Sequence, residues 1–202
     1  MIIYLVSLNE TDKNSSSCKK SRSLSEKAIK NILANELDIS EHSLSLKRNA
    51  YGKPFLLDNK RHFNISYSKN VLMVATDSSP IGIDIEYTKQ IDDINSLINY
   101  FSPEEKTFLY QLNDSEKIKC FYQLWVLKES YVKAIGKGLS CPFHSFYIEL
   151  TEKRASLIYT SEKDLDWSFK SYLLSENYSL AICAKHDTFP KDFIYLDINE
   201  LR

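Results

Sequence analysis

The residues best suited to chemistry lie in two short segments. The first is Gly82-Ile83-Asp84-Ile85-Glu86. It has the alternation of a strand, in which successive side chains point to opposite faces. Ile81, Ile83 and Ile85 suit a core, while Asp84 and Glu86 share the other face, roughly 7 Å apart by strand rise. Two carboxylates so placed repel unless water or a cation lies between them. A hard divalent ion would satisfy both, and magnesium usually takes one or two carboxylates plus substrate phosphates. In the second segment Trp125, Glu129 and Lys133 are spaced i, i+4, i+8 and form one helical stripe. Glu129 could add a third oxygen ligand and Lys133 a phosphate contact. Each segment also has a plainer reading. The first could be a solvated strand face, the second a Glu-to-Lys helix pair worth roughly 0.2–0.5 kcal/mol. The chemical reading requires the helix to face the strand.

Basic residues precede both segments. Lys19, Lys20 and Arg22 stand in a polar stretch, and Lys53 lies in Tyr51-Gly52-Lys53-Pro54. With a metal they could hold a polyanion through charge-assisted bonds. Other chemistries are excluded by absence. The four glycines (Gly52, Gly82, Gly136, Gly138) form no phosphate-binding or dinucleotide-binding fingerprint, and the four histidines form no HExxH. There is no GxSxG. A magnesium nuclease built on Asp84 and Glu86 would often use a Glu-x-Lys, but Tyr87-Thr88 follows Glu86.

The elements that must carry these residues can be read from pattern. Met1 to Leu8 reads as a strand, and Asn9 to Ser23 as a basic loop. Ser23 and Glu26 have the spacing of a capping box. A helix follows, with Ala28, Ile29, Ile32, Leu33 and Leu37 on one face. Ser43 to Arg48 is a short strand. His62 to Ser66, Val71 to Asp77 and Ile81 to Tyr87 read as an antiparallel meander, given their short connections. Ser102-Pro103-Glu104-Glu105 is a helix start, and a longer helix covers Glu116 to Ile135, ending at Gly136. Ser145 to Ala184 reads as strands. Ser68-Lys69-Asn70 before one apolar run and Ser175-Glu176-Asn177 before another form a faint internal echo.

The chain has 202 residues, 43% hydrophobic and 26% charged, with a formal net charge of -1. It therefore lacks the basic field usual for nucleic-acid binders. No apolar run approaches the roughly 18 residues of a membrane span, and MIIYLVSLNETDK does not read as a secretory signal. Cys18, Cys120, Cys141 and Cys183 have no metal or CxxC spacing. Free thiols in a reducing, cytoplasmic setting are the expectation.

Together, Phe63-Asn64-Ile65-Ser66, Gly82-Ile83-Asp84-Ile85-Glu86 and Trp125-x-x-Lys128-Glu129-Ser130-x-x-Lys133-x-x-Gly136-Lys137-Gly138-Leu139-Ser140 resemble the signature of a known family. It is the surfactin-synthetase-activating class of 4′-phosphopantetheinyl transferases. The Tyr51-Gly52-Lys53-Pro54 turn matches too, and the four motifs span essentially the whole chain in order.

The resemblance implies an α+β fold. It is a pseudo-twofold duplication of two α/β halves, 1–100 and 101–202, each a small antiparallel sheet packed with helices, with the active site between them. It implies transfer of phosphopantetheine from coenzyme A to a serine of an apo acyl or peptidyl carrier protein by a monomer. By position, Asp84, Glu86 and Glu129 match magnesium ligands. Lys133 matches a phosphate-contacting lysine, and Arg22, Lys53 and Ser66 match contacts to coenzyme A, with Lys19 nearby. Glu129 and Glu105 are both candidates for the base that takes the serine proton.

One position departs from the family pattern. Tyr67 stands where that pattern has a histidine on the coenzyme A phosphates. A tyrosine donates a hydrogen bond but carries no positive charge, and Lys69 could supply the missing charge. This departure is the sole support for a rival reading, a catalytically impaired module that binds coenzyme A or a carrier protein. Thr88 to Phe101, with Ile91, Ile94, Leu97, Ile98, Tyr100 and Phe101, is the expected carrier-docking segment.

Overall fold

The computed structural model describes residues 1–8, 17–57, 61–151 and 154–198, with side chains in the first helix described from residue 25 onward. Eleven strands and four α-helices are formed by the described residues. A four-stranded sheet has the order β11-β1-β5-β4, and a five-stranded sheet the order β6-β10-β9-β8-β7. In the first, β1 (Ile2–Ser7) pairs antiparallel with β5 (Val71–Asp77) and parallel with β11 (Ile194–Asp197), and β5 pairs antiparallel with β4 (His62–Ser68). In the second, β6 (Ile81–Tyr87) pairs with β10 (Tyr178–Ala184), β10 with β9 (Ser168–Ser175), β9 with β8 (Ala155–Thr160) and β8 with β7 (Phe146–Leu150). A small ribbon joins β2 (Leu46–Arg48) to β3 (Pro54–Leu56). The result is the expected α+β fold of small, mainly antiparallel sheets packed with helices.

The expected three-strand meander is corrected at its last member. β4 and β5 pair as expected, but β6 joins the other sheet. The reason is edge capacity. A strand has two hydrogen-bonding edges, and those of β5 are taken by β4 and β1. The chain returns the exchange at its end, where β11 (194–197) lies in the first sheet. Division of the sheets therefore does not coincide with division of the chain at residue 100.

The first helix, α1 (Ser17–Leu37), corrects another expectation. Ser23 lies inside it rather than at its cap. Once a helix is nucleated, each added residue gains a bond, and Ser, Lys and Arg are tolerated in its interior. The expected basic loop thus lies partly in helix, and the rest (residues 9–16) falls outside the described residues. The helical face expected to be apolar is buried, with Ala28, Ile29, Ile32 and Leu33 all enclosed.

Three further helices follow: α2 (Ile94–Ile98), α3 (Pro103–Tyr110) and α4 (Asp114–Ile135). α3 starts with the expected capping box, in which Ser102 Oγ accepts from Glu105 N and the Glu105 carboxylate accepts from Ser102 N. α4 begins two residues before expectation, capped by Asn113, and ends on Gly136 at φ 73°. That left-handed conformation favours glycine. α4 lies across β6 and β10 and buries Phe121, Leu124, Val126, Leu127 and Tyr131 against them and against Phe101, Phe146 and Ile148. Each such side chain contributes about 1.5–3 kcal/mol by leaving water.

Candidate active site

Gly82 determines how closely α4 approaches β6. A Cβ added there would stand 1.9 Å from Ser130 O and 2.5 Å from Ala134 N, both main-chain atoms of α4. The glycine lets helix and strand touch backbone to backbone. Glu129 and Lys133 lie one position before Ser130 and Ala134, about 100° round the helix, and so stand beside the strand's acids. The two faces of β6 sort as the alternation requires. Ile81, Ile83 and Ile85 are fully buried with Ile3, Met73, Leu180 and Ile182, and Asp84 and Glu86 turn the other way.

There the two segments meet. Lys133 Nζ donates to Asp84 Oδ1 at 2.6 Å and to Ser66 Oγ at 3.0 Å, and Ser66 Oγ donates to Asp84 Oδ1 at 2.7 Å. Asp84 Oδ2 is buried and has no hydrogen-bond partner. A pocket of about 340 Å³ opens over this group, lined among others by Ser66, Tyr67, Asp84, Glu86, Glu129 and Lys133. Its electrostatics show crowded negative charge. Burial, then the neighbouring Asp84, push the Glu86 carboxyl up to about 7, with Glu129 adding and Lys133 opposing. Burial and Asp84 also raise Glu129. A bound cation would relieve all three. Among the described residues, no three His, Cys, Asp or Glu side chains stand close enough together to enclose an ion as they are. The salt bridge from Lys133 occupies one Asp84 oxygen, leaving Oδ2 without a partner beside a pocket that Glu86 and Glu129 also line.

A second pocket of about 670 Å³ adjoins the first, sharing Trp125, Glu129 and Lys133. Its remaining wall is largely apolar, with Tyr100, Leu139, Pro142 and Phe143. Leu139 and Tyr100 are exposed.

Not every expected site residue comes to these pockets. Glu105 lies away from them. It is 1% exposed and lines neither pocket; its Oε1 accepts from Lys128 Nζ at 2.7 Å and from Ile148 N at 2.9 Å. As the third residue of α3 it is held inward by its capping box, which commits its carboxylate to the fold. Lys128, fully buried, also donates to Phe146 O and stands 3.9 Å from the Phe146 ring centroid. Lys53 also lines neither pocket. Its ammonium donates to Ile81 O at 3.0 Å and Ala134 O at 3.1 Å, tying the Tyr-Gly-Lys-Pro turn to the start of β6 and the end of α4. Burial lowers Lys53 to about 8. Lys69 stands over the Tyr87 ring rather than in the pocket. The side chains of Lys19 and Arg22 lie outside the described residues.

Sequence reading missed the polar stripe of β4. Asn64 Oδ1 accepts from Ile83 N at 2.8 Å, Ser66 Oγ from Ile85 N at 3.3 Å and Ser68 Oγ from Tyr87 N at 2.8 Å. These side chains replace a backbone ladder and join the two sheets. The signal was present as three polar residues at alternate positions of a strand.

Comparisons with known proteins show the family. The family model described as the 4′-phosphopantetheinyl transferase superfamily matches residues 80–183, which include both acidic segments. The 4′-phosphopantetheinyl transferase Sfp of Bacillus subtilis (strain 168) is 34% identical over 174 residues, 86% of this chain and 77% of that protein. The 4′-phosphopantetheinyl transferase gsp of Aneurinibacillus migulanus is 35% identical over 161 residues, 80% of this chain and 67% of that protein. With a family model over half the chain and such relatives over most of it, the chain belongs to the 4′-phosphopantetheinyl transferase superfamily as an Sfp-like transferase enzyme.

Proposed function

We propose that the chain moves the phosphopantetheine arm of coenzyme A onto a serine of an acyl or peptidyl carrier protein, using magnesium held by Asp84, Glu86 and Glu129. The observation that carries the metal assignment is the buried Asp84 Oδ2, which has no partner and belongs to a residue lining a pocket crowded with carboxylates. A buried charged oxygen left bare costs free energy, and an all-oxygen donor set suits a hard cation. When bound, the ion would neutralise charge on the phosphate oxygens. Lys133 adds a fixed positive charge beside Ser66, whose own proton goes to Asp84, and Tyr67 offers a hydroxyl donor to phosphate. Glu129 remains the candidate for the proton acceptor, since Glu105 is committed elsewhere. The carrier serine oxygen forms a bond to the phosphorus bearing the pantetheine arm. The bond from that phosphorus to the pyrophosphate bridge breaks, and adenosine 3′,5′-bisphosphate leaves.

Both acidic segments and Lys133 come from one chain, which supports a monomeric enzyme. The apolar pocket beside Glu129 and Lys133 suits the carrier surface or the pantetheine arm. Among the described residues no helix is long and apolar enough to cross a membrane. Cys120, Cys141 and Cys183 are free thiols, which supports the reducing environment of a cytoplasm; the side chain of Cys18 lies outside the described residues. With Asp84, Glu129 and Lys133 gathered at one pocket, transfer is favoured over an impaired binding module, whose sole support is Tyr67 in place of the family's histidine.

The test is mass spectrometry of an apo carrier protein incubated with coenzyme A and magnesium. The carrier gains one phosphopantetheine, the gain requires a divalent ion, and Asp84→Ala abolishes it. Transfer at the wild-type rate by Asp84→Ala in chelator would remove the metal assignment.

A further inference from the structure

The seam between β4 and β6 carries a repeated unit. Three polar side chains of β4 each meet a main-chain N–H of β6 that lies 19 residues further along: Asn64 with Ile83, Ser66 with Ile85, Ser68 with Tyr87. The constant offset means that the two strands run in the same direction in fixed register. At two of the three rungs the same hydroxyl also donates to the acid just before its N–H partner. Ser66 Oγ donates to Asp84 Oδ1 at 2.7 Å, and Ser68 Oγ to Glu86 Oε2 at 3.5 Å. The Ser68 contact is at the long limit of a hydrogen bond, but its oxygen is well fixed by Tyr87 N at 2.8 Å. At the Asn64 rung the corresponding residue of β6 is Gly82, which carries no acid. The seam thus has two rungs that serve carboxylates and one that only joins the sheets.

From this we infer that Ser68 is a positioning residue for Glu86, holding it to the pocket as Ser66 holds Asp84. The inference rests on the proposed divalent-ion site. A hydroxyl anchored to the backbone and turned toward an acid orients it for a cation, and loss of such a partner typically weakens metal binding about 10–100-fold.

The experiment measures binding of Mn²⁺, used as the probe ion, to the full chain by electron paramagnetic resonance, alongside thermal melting. Ser68→Ala should bind Mn²⁺ at least about tenfold more weakly, and Ser68→Thr, which keeps the hydroxyl, should restore most of the affinity. Asn64→Ala should lower the melting temperature through its lost rung yet keep the Mn²⁺ affinity of the wild type. Wild-type affinity in Ser68→Ala, no rescue by threonine, or an equal loss in Asn64→Ala would each overturn the positioning role while leaving the metal site standing. If the wild type shows no Mn²⁺ binding that Asp84→Ala removes, the metal reading falls and this inference with it.

Discussion

Lys133 Nζ lies 2.6 Å from Asp84 Oδ1, joining residues 49 apart in sequence across the contact of α4 with β6. This one contact makes two ambiguous motifs into a site. Alone, the strand acids could face water, and Glu129 with Lys133 could be an ordinary helix pair. Joined, they hold a positive charge and several negative ones at the mouth of a pocket.

Lys133 and Lys128 sit on the same helix in different worlds, so their alanine variants should fail differently. Lys133→Ala should lower kcat/KM for coenzyme A by about 10²-fold or more, since in the proposed reaction it removes a charge from the reacting phosphate, with little change in melting temperature. Lys128→Ala leaves Glu105 buried and unpaired, and breaking such a pair costs about 3–5 kcal/mol. Paired melting curves and steady-state kinetics check this; equal kinetic losses in folded, equally stable variants would contradict it.

Gly82→Ala should be among the most damaging small substitutions in the chain. Its Cβ would overlap Ser130 O at 1.9 Å, forcing α4 away from β6 and separating Lys133 from Asp84. Expected are a melting temperature several degrees lower and transfer activity reduced more than stability alone would explain. A variant with wild-type activity would show that the helix can shift without disturbing the site.

The buried ammonium of Lys53 gives a pH signature. Burial lowers its folded pKa to about 8 from the ordinary 10.5. Between those values the unfolded chain holds the proton that the folded chain has released, so stability from this group rises with pH across that window. The melting temperature of the wild type minus that of Lys53→Met should therefore be larger at pH 9.5 than at pH 7. A difference that is flat or shrinking with pH would place the Lys53 amine in solvent.

Of the docking residues expected from sequence, Ile98 and Phe101 are fully buried, whereas Ile94 and Leu97 are half-buried against the core. Tyr100 and Leu139 are the exposed members beside the apolar pocket. Leu139→Asp should raise KM for the carrier protein severalfold and leave the melting temperature within about 1 °C, because surface changes rarely exceed about 0.5 kcal/mol. Unchanged transfer kinetics would place the carrier surface elsewhere.

The sequence by itself determined local facts, because local spacing encodes them. The alternation of Ile81, Ile83 and Ile85 with Asp84 and Glu86 specified a two-faced strand. Ser102 with Glu105 specified a cap, and Gly136 a helix end. Tertiary structure decided what is set by contacts distant in the chain. Only there does β6 leave β5 for β10, because both edges of β5 are already paired. Only there does Glu105, a possible base by type, turn inward to Lys128, and Lys53, a possible phosphate contact, bind two carbonyls instead. A side chain's type fixes what it can bond, but which partner reaches it is settled by packing.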